Sequence, residues 1–473
     1  MDIRSIRLEK KIKFSELADK VNIDHTELRK IERGFIEPTK EQFYTLSQAL
    51  KVDSAVLISG HLNEINKIIP GEGYTTCQCG EERFLERSSP IAPDKIKVLD
   101  LFCGCGGLSY GFEQTDKFQI TAGVDLLADR VESFHANHNT AIGVIGNIHE
   151  IDKDHLWELA GTPDILIGGP PCQGFSSIRP FRQLSENDKR NHLVEIYRDL
   201  VAEKRPRWFV MENVVGLLTH NKGKLLESLL DEYSSLGYSV SWTILNAANY
   251  GVPQNRERLF IVGNNANIRY SWPTPTHHAP HKSMGGKRFN RSNRLNLFSE
   301  NLPKAITAYD AICDLPEIES GETADKYGTP KCTNEYTHKM RGKTNQLSLH
   351  SSTKHSEKMM DIIKHAGENR NSLPKDMTSS GFSSCYSRID PDKPSVTLTV
   401  NFVHPASNKC IHPYQHRALT PREGARIQSF PDNYTFSGSK TQIVKQIGNA
   451  VPPLLAKAVA LSIYEAEMQA QQI

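Results

Sequence analysis

Lys97-Val98-Leu99-Asp100-Leu101-Phe102-Cys103-Gly104-Cys105-Gly106-Gly107-Leu108 decides the fold class. Lys97 to Phe102 reads as a buried strand, and it empties into a glycine-rich loop. Glycines let the backbone approach a ligand closely where the chain leaves a strand. A dinucleotide fingerprint needs Gly-x-Gly-x-x-Gly, but Ser109 stands three positions after Gly106, which weakens a nicotinamide reading and leaves a nucleoside-type ligand. Next outward comes a second expected strand, Ile120 to Asp125. A carboxylate at the tip of strand two suits a ribose diol, because it accepts two hydrogen bonds. Taken alone, Asp125 is better read as a helix cap or a solvated loop acid.

Downstream, Asp164-Ile165-Leu166-Ile167 runs straight into Gly168-Gly169-Pro170-Pro171-Cys172-Gln173-Gly174-Phe175-Ser176. The rings of Pro170 and Pro171 fix their own φ and restrict the residue before them. The Cys172 thiol is thereby expected at a strand end, where α/β folds place their chemistry. A free thiol has a pKa near ~8.5, so little of it is thiolate at neutral pH unless the site lowers that value. A lone cysteine in a turn is more often structural; the flanking Pro-Pro and Gln-Gly-Phe-Ser favour a nucleophile here. Trp208-Phe209-Val210-Met211 is another buried-strand pattern and ends in Glu212-Asn213-Val214. Glu212 either caps the next helix or, beside a nucleophile, acts as a general acid with a raised pKa. Gln254-Asn255-Arg256-Glu257-Arg258 precedes the expected strand Leu259 to Gly263. On an extended chain Arg256 and Arg258 share one face. They could hold a phosphate or a base edge, or simply lace a charged strand edge with ion pairs.

Together these residues resemble the C5-cytosine DNA methyltransferase family, over most of the chain from Val98 to about Leu461. The resemblance rests on Asp100 to Gly107, Pro170-Pro171-Cys172-Gln173, Glu212-Asn213-Val214 and Gln254-x-Arg256-x-Arg258. It continues through Arg417-Ala418-Leu419-Thr420-Pro421-Arg422-Glu423, Phe430-Pro431-Asp432 and Gln446-Ile447-Gly448-Asn449-Ala450-Val451-Pro452. It implies a doubly wound, Rossmann-like α/β methyltransferase domain dependent on S-adenosyl-L-methionine, with a smaller target-recognition domain. The thiolate of Cys172 is then expected to add to C6 of a cytosine. Glu212, protonated, would hydrogen-bond N3, and Arg256, Arg258 or both would hold O2. C5 would take the cofactor's methyl group, and loss of the C5 proton would expel the cysteine, a covalent route that divides one hard step into easier ones. The ring is out of reach inside a duplex, so the base must be flipped out.

The resemblance also implies a cofactor site. Phe102, Gly104, Gly106, Gly107 and Leu108 would wrap the methionine and ribose, flanked by Asp100 and Pro170. Asp125 would take the ribose hydroxyls, Asn147 and Ile148 the adenine, and Asn449 and Val451 would close the pocket from the far end of the chain. The family usually shows Gly-Asp-Ile where this chain has Gly146-Asn147-Ile148. An amide carbonyl still accepts from the adenine amino group, but without charge assistance.

The first 55 residues form a separate unit by helical periodicity. Ile3, Ile6 and Leu8 lie on one helix, Leu17, Ala18 and Val21 face inward on a second, Leu28 and Ile31 on a third, and Pro38-Thr39 opens a fourth carrying Phe43, Leu46 and Leu50. The pattern resembles the Cro/C1-type helix-turn-helix, an all-α unit. In that geometry the helix from His25 enters a major groove and exposes His25, Thr26, Arg29 and Lys30. The plainer alternative is a small helical bundle for protein contacts. Residues 56–95 read as a loop-rich linker, 96–270 as the catalytic domain, 271–390 as the target-recognition region and 391–473 as a return segment. Within the recognition region Lys287, Arg288 and Arg291 cluster with Lys282 and Arg294 around Gly285-Gly286, a loop suited to neutralising phosphates or simply a solvated basic loop. Pro394 to Val400 is an expected strand. Leu454 to Met468 is an expected final helix that packs back on the sheet and brings Asn449 to the pocket.

Composition fits this reading. Hydrophobic residues make up 38% and charged ones 24%, as in a soluble globular protein. Lys+Arg 57 nearly balances Asp+Glu 55, so attraction to nucleic acid must come from local patches. The nine cysteines are scattered, and Cys77/Cys79 and Cys103/Cys105 lack structural-zinc spacing, so no metal is expected. They read as reduced thiols of a cytoplasmic protein. No apolar run approaches the ~18 residues of a membrane span. The expected partners are double-stranded DNA and, functionally, a restriction endonuclease, with a dimer formed through the N-terminal domain on an operator. A tRNA cytosine methyltransferase and a regulator with an inactive methyltransferase body are the rival readings.

Overall fold

The computed structural model describes residues 3–32, 38–52, 57, 82–171, 193–218, 223–279, 301–374, 377 and 383–472. They fall into two compact units, Met1–Gly80 and Glu81–Ile473.

The described residues of the first unit include the helices α1 (Ile3–Glu9), α2 (Phe14–Val21), α3 (His25–Glu32) and α4 (Lys40–Leu50). Their core is Ile3, Ile6, Leu17, Ala18, Val21, Leu28, Ile31, Phe43, Leu46 and Leu50 with Ile23 and Leu57. Leu8, grouped with Ile3 and Ile6 in the sequence, is instead 56% exposed. Residues three apart share a helix face but five apart do not. Arg7 and Glu32 form a buried ion pair tying α1 to α3, with Arg7 Nη2 to Glu32 Oε2 at 3.0 Å. Asn22 ends α2 in the left-handed region, and Asp24 accepts from the Glu27 N–H at 3.2 Å to start α3. Thr39 and Gln42 form a reciprocal capping box at the start of α4.

The second unit is built on an eight-stranded sheet. Its strands are β1 (Arg83–Leu85), β2 (Ile96–Leu101), β3 (Phe118–Asp125), β4 (Ile142–Ile145), β5 (Ile165–Gly168), β6 (Trp208–Val214), β7 (Ser239–Asn246) and β9 (Glu257–Asn264). Their spatial order is β1-β4-β3-β2-β5-β6-β9-β7. Strands β2 to β6 run parallel, and β9 lies antiparallel between β6 and β7. From β2 the chain winds outward to β3 and β4, then returns to β5 on the other side. The order therefore reverses between β2 and β5, and a doubly wound sheet opens its ligand crevice at the carboxyl ends of such strands. Buried side chains line both faces of the sheet, as a parallel sheet covered on both sides requires.

Several expectations change. Within the expected linker 56–95, Arg83–Leu85 forms β1 and pairs antiparallel with β4. The expected strand Pro394 to Val400 shrinks to Ser395–Val396, paired in parallel with Gln254–Asn255 (β8). In the described part of 271–390, Ala311, Ile312, Tyr336 and Met340 share one core with Ile165, Trp208 and Phe260. Cys313 and Cys332 stand side by side, with Cα atoms 5.6 Å apart, and Cys103, Cys105, Cys385 and Cys410 are free and buried. The final helix spans Pro453–Ala470 and lies against the helix Gly107–Glu113. The stretch Lys440–Ala470 is apolar and long enough to cross a membrane by length and composition, but 67% of that window is buried inside the fold, as in a core helix.

Candidate active site at the sheet crevice

Strand β2 delivers Asp100 to the floor of the crevice. Its carboxylate is buried, accepts from Ser109 Oγ through one oxygen, and has no hydrogen-bond partner for Oδ1 among the described residues. Ser109, the residue that breaks the dinucleotide fingerprint, thus supports the loop with its hydroxyl. Burial pushes the Asp100 carboxyl up to about 8. Beyond β2 the backbone turns through left-handed Phe102 (φ 62°), Gly104 (53°) and Gly106 (90°). Only glycine adopts φ 90° freely, and a β-carbon on Gly106 would also collide with His138 and Tyr434. Asp125 ends β3 and accepts from the Gly104 N–H at 3.0 Å and the Leu127 N–H at 3.1 Å. It is therefore fixed on the glycine loop with lone pairs to spare, and burial raises its pKa. Asn147 follows β4, its Oδ1 accepting from His149 N–H at 3.2 Å, with Ile148 buried beside it. Gly107 packs directly on the C-terminal segment: a β-carbon there would lie 2.3 Å from the Val451 carbonyl oxygen. The structure thus brings Phe102 to Leu108 and Val451 together across more than 300 residues of chain.

On the other side of the crevice, Glu212 lies inside β6 and caps no helix. Its Oε1 is 3.0 Å from Arg258 Nε, and both side chains are nearly closed off from solvent. Burial raises the Glu212 pKa against the pull of the two arginines, Arg258 above all. Gly169 comes next to this carboxylate: Glu212 Oε2 lies 3.1 Å from where a Gly169 β-carbon would stand. Asn213 Nδ2 donates to the Pro170 carbonyl at 3.1 Å, so β6 holds the entry to the Pro-Pro loop. Cys172, which that loop carries, lies outside the described residues.

Arg256 and Arg258 take different partners. The chain breaks between β8 and β9 at Arg256, whose N–H donates to Asn246 Oδ1 at 3.0 Å. Arg258 turns to Glu212, whereas the Arg256 guanidinium is buried on the carbonyls of Leu398, Gly448 and Asn449. Sequence reasoning missed both Asp100's open oxygen and this divergence; the break in strand hydrogen bonding at Arg256 leaves no trace in the residue pattern.

Of the other expected residues, His25 sits at the start of α3, with Nε2 3.8 Å from Asp19 Oδ1. Thr26, Arg29 and Lys30 are on the same helix, but their side chains lie outside the description. Lys287, Arg288 and Arg291 lie outside the described residues. No group of His, Cys, Asp and Glu able to hold a metal occurs among the described residues.

The C-5 cytosine-specific DNA methylase family matches residues 96–465, spanning every element of this crevice. The chain belongs to that family. It is accordingly a DNA (cytosine-5-)-methyltransferase, and a helix-turn-helix family matches residues 3–57 at its N-terminus. It is 32% identical to the type II methyltransferase M.AgeI of Thalassovita gelatinovora, over 78% of this chain and 99% of that one. It is 33% identical to M1.HphI of Haemophilus parahaemolyticus, over 78% and 86%, and to M.DdeI of Desulfomicrobium norvegicum, over 77% and 88%. A crystal structure described as an E. coli prophage-encoded DNA modification methyltransferase superposes with a TM-score of 0.60 at 24% identity, covering 79% of this chain and 100% of that one, which speaks to the fold. Members of the family generally depend on S-adenosylmethionine, and both parts of the chain are of DNA-acting families.

Proposed function

We propose that this methyltransferase modifies a cytosine in a short double-stranded sequence through Cys172, with Glu212 and Arg258 holding the flipped base. The observation that carries this reading is the buried Glu212–Arg258 pair against Gly169, at the entry to the loop that bears the thiol. Arg258 keeps the carboxyl oriented and presents its remaining N–H groups to a base oxygen. The raised pKa of Glu212 favours the protonated acid, which can donate to a ring nitrogen where negative charge develops. The crevice fits S-adenosyl-L-methionine. A glycine loop gives close backbone approach, Asp125 is fixed to accept from two hydroxyls, and the open Asp100 Oδ1 is a buried acceptor awaiting a donor. When bound, the cofactor supplies an electrophilic methyl group. Phe102, Gly104, Gly106, Gly107 and Leu108 line the loop that would wrap it, Asn147 and Ile148 the adenine end, and Asn449 and Val451 the closing side.

The enzyme is further read as acting in the cytoplasm and protecting DNA from a partner restriction endonuclease. Lys287, Arg288 and Arg291 would neutralise phosphates near the target. The N-terminal unit, as a dimer on an operator through His25, Thr26, Arg29 and Lys30, would repress its own transcription. Bisulfite sequencing of a host lacking cytosine-5 methylation, expressing this chain, tests the core of the reading. One short sequence context fully protected from conversion supports it; unmethylated genomic DNA with methylated tRNA would refute it.

A further inference from the structure

The helix Lys440–Asn449 ends just before the Pro452-Pro453 pair, and the last carbonyls of a helix lack partners within it. Here they are satisfied from outside by two buried side chains. Gln428 Nε2 donates to Ile447 O at 2.6 Å and reaches Ala450 O at 3.4 Å. Arg256 Nη2 donates to Gly448 O at 2.9 Å and reaches Asn449 O at 3.3 Å, while its Nη1 holds Leu398 O at 3.3 Å. Gln254 in turn fixes Gln428 through a 2.9 Å bond. All three side chains are essentially closed to solvent. A cation at a helix C-terminus also complements the helix dipole. The far side of the same turn is the Val451 carbonyl, which meets the glycine loop so closely that only glycine fits at position 107. The turn is therefore wedged between Arg256 and the crevice, and Arg256 stands two residues before Arg258, which pairs with Glu212 instead.

We propose that Arg256 is a positioning residue: it locks the turn Gly448–Val451 against the Gly104–Leu108 loop and so sets cofactor affinity, without touching the target base. This rests on reading that loop as the S-adenosylmethionine site. Arg258 then belongs to the base and Arg256 to the cofactor, although both sit in one Gln-x-Arg-x-Arg run. A lysine supplies the charge but not the planar fork that spans neighbouring carbonyls, and a glutamine supplies neither in full.

The test uses the full-length protein, calorimetric titration with S-adenosylmethionine in the absence of DNA, and kcat at saturating cofactor. Arg256→Gln is expected to weaken cofactor binding roughly tenfold or more, on the scale of lost hydrogen bonds to a charged group. Its kcat at saturation should stay within about threefold. Arg256→Lys should recover part of the affinity. Arg258→Gln should do the reverse, keeping cofactor affinity and losing kcat. If Arg256→Gln does not yield folded protein, Gln428→Met decides, since it removes donors to the same turn from the other side and should weaken cofactor binding in the same direction. Unchanged cofactor affinity in the folded variant, with kcat lost as in Arg258→Gln, overturns the proposal alone. Failure of the unaltered protein to bind S-adenosylmethionine overturns the cofactor reading and the proposal with it.

Discussion

Two groups of buried carboxylates in the catalytic unit are set in opposite ways. At the crevice, burial raises Asp100, Asp125 and Glu212 above the ordinary carboxylate range. In the segment 417–432, burial also pushes Glu423 and Asp432 up, but Arg417 outweighs it at Glu423, and Arg426 with Arg422 outweighs it at Asp432, so both end below that range. Arg417 grips Glu423 in a two-pronged pair at 2.8 and 2.7 Å. Arg426 bridges Asp314 and Asp432, joining residues more than a hundred positions apart. The scaffold saturates its charges and gains a fixed geometry. The crevice leaves its acids under-partnered, which is the condition for binding a ligand or holding a proton.

The contrast can be broken from either side. The largest stability effect is expected at the scaffold. Arg426→Leu leaves Asp314 and Asp432 buried without their cation and should cost about 3–5 kcal/mol, read as a fall in the denaturant midpoint. At the crevice Glu212→Gln keeps an acceptor for Arg258 and should lower that midpoint clearly less, while lowering kcat by roughly 10²–10⁴-fold. A similar stability loss in both variants would erase the distinction.

A smaller effect separates the two by pH. An acid whose folded pKa is raised binds its proton more tightly when folded. It therefore costs stability as pH rises from its unfolded value, near ~3.9 for aspartate, to its folded value, about 8 for Asp100. Asp100→Asn should then gain stability over the unaltered chain across that window and show little difference below it. Glu423 and Asp432 have the opposite sign: their contribution is present above the unfolded carboxylate pKa and is lost as pH falls through their depressed folded values. Thermal unfolding at a series of pH values reads both. An Asp100→Asn curve parallel to the unaltered one would show that the Asp100 shift is absent.

Much of this was legible in the residues. The apolar runs at Val98, Ile120, Ile165 and Trp208 became β2, β3, β5 and β6, because strands buried on both faces carry continuous hydrophobic stretches. The four N-terminal helices followed from their periodicity and from the Thr39 cap. What stayed hidden depends on distant partners. Arg-Phe-Leu at 83–85 is too short to announce an edge strand. The buried pairing of Arg417, Arg422 and Arg426 with Glu423, Asp432 and Asp314 depends on partners that the residue pattern does not name. The two arginines of one motif part company only because the helix end at Gly448–Asn449 arrives from some 190 residues away.

The central claim is that a transient sulfur–carbon bond forms between Cys172 and a flipped cytosine. Intact-mass and peptide-mapping spectrometry tests it after the protein is incubated with S-adenosylmethionine and a duplex carrying 5-fluorocytosine at the methylated position. An adduct mapping to Cys172, and absent from Cys172→Ser, is the predicted result. Protein that methylates ordinary duplex yet forms no adduct, or forms one at another residue, would contradict the account.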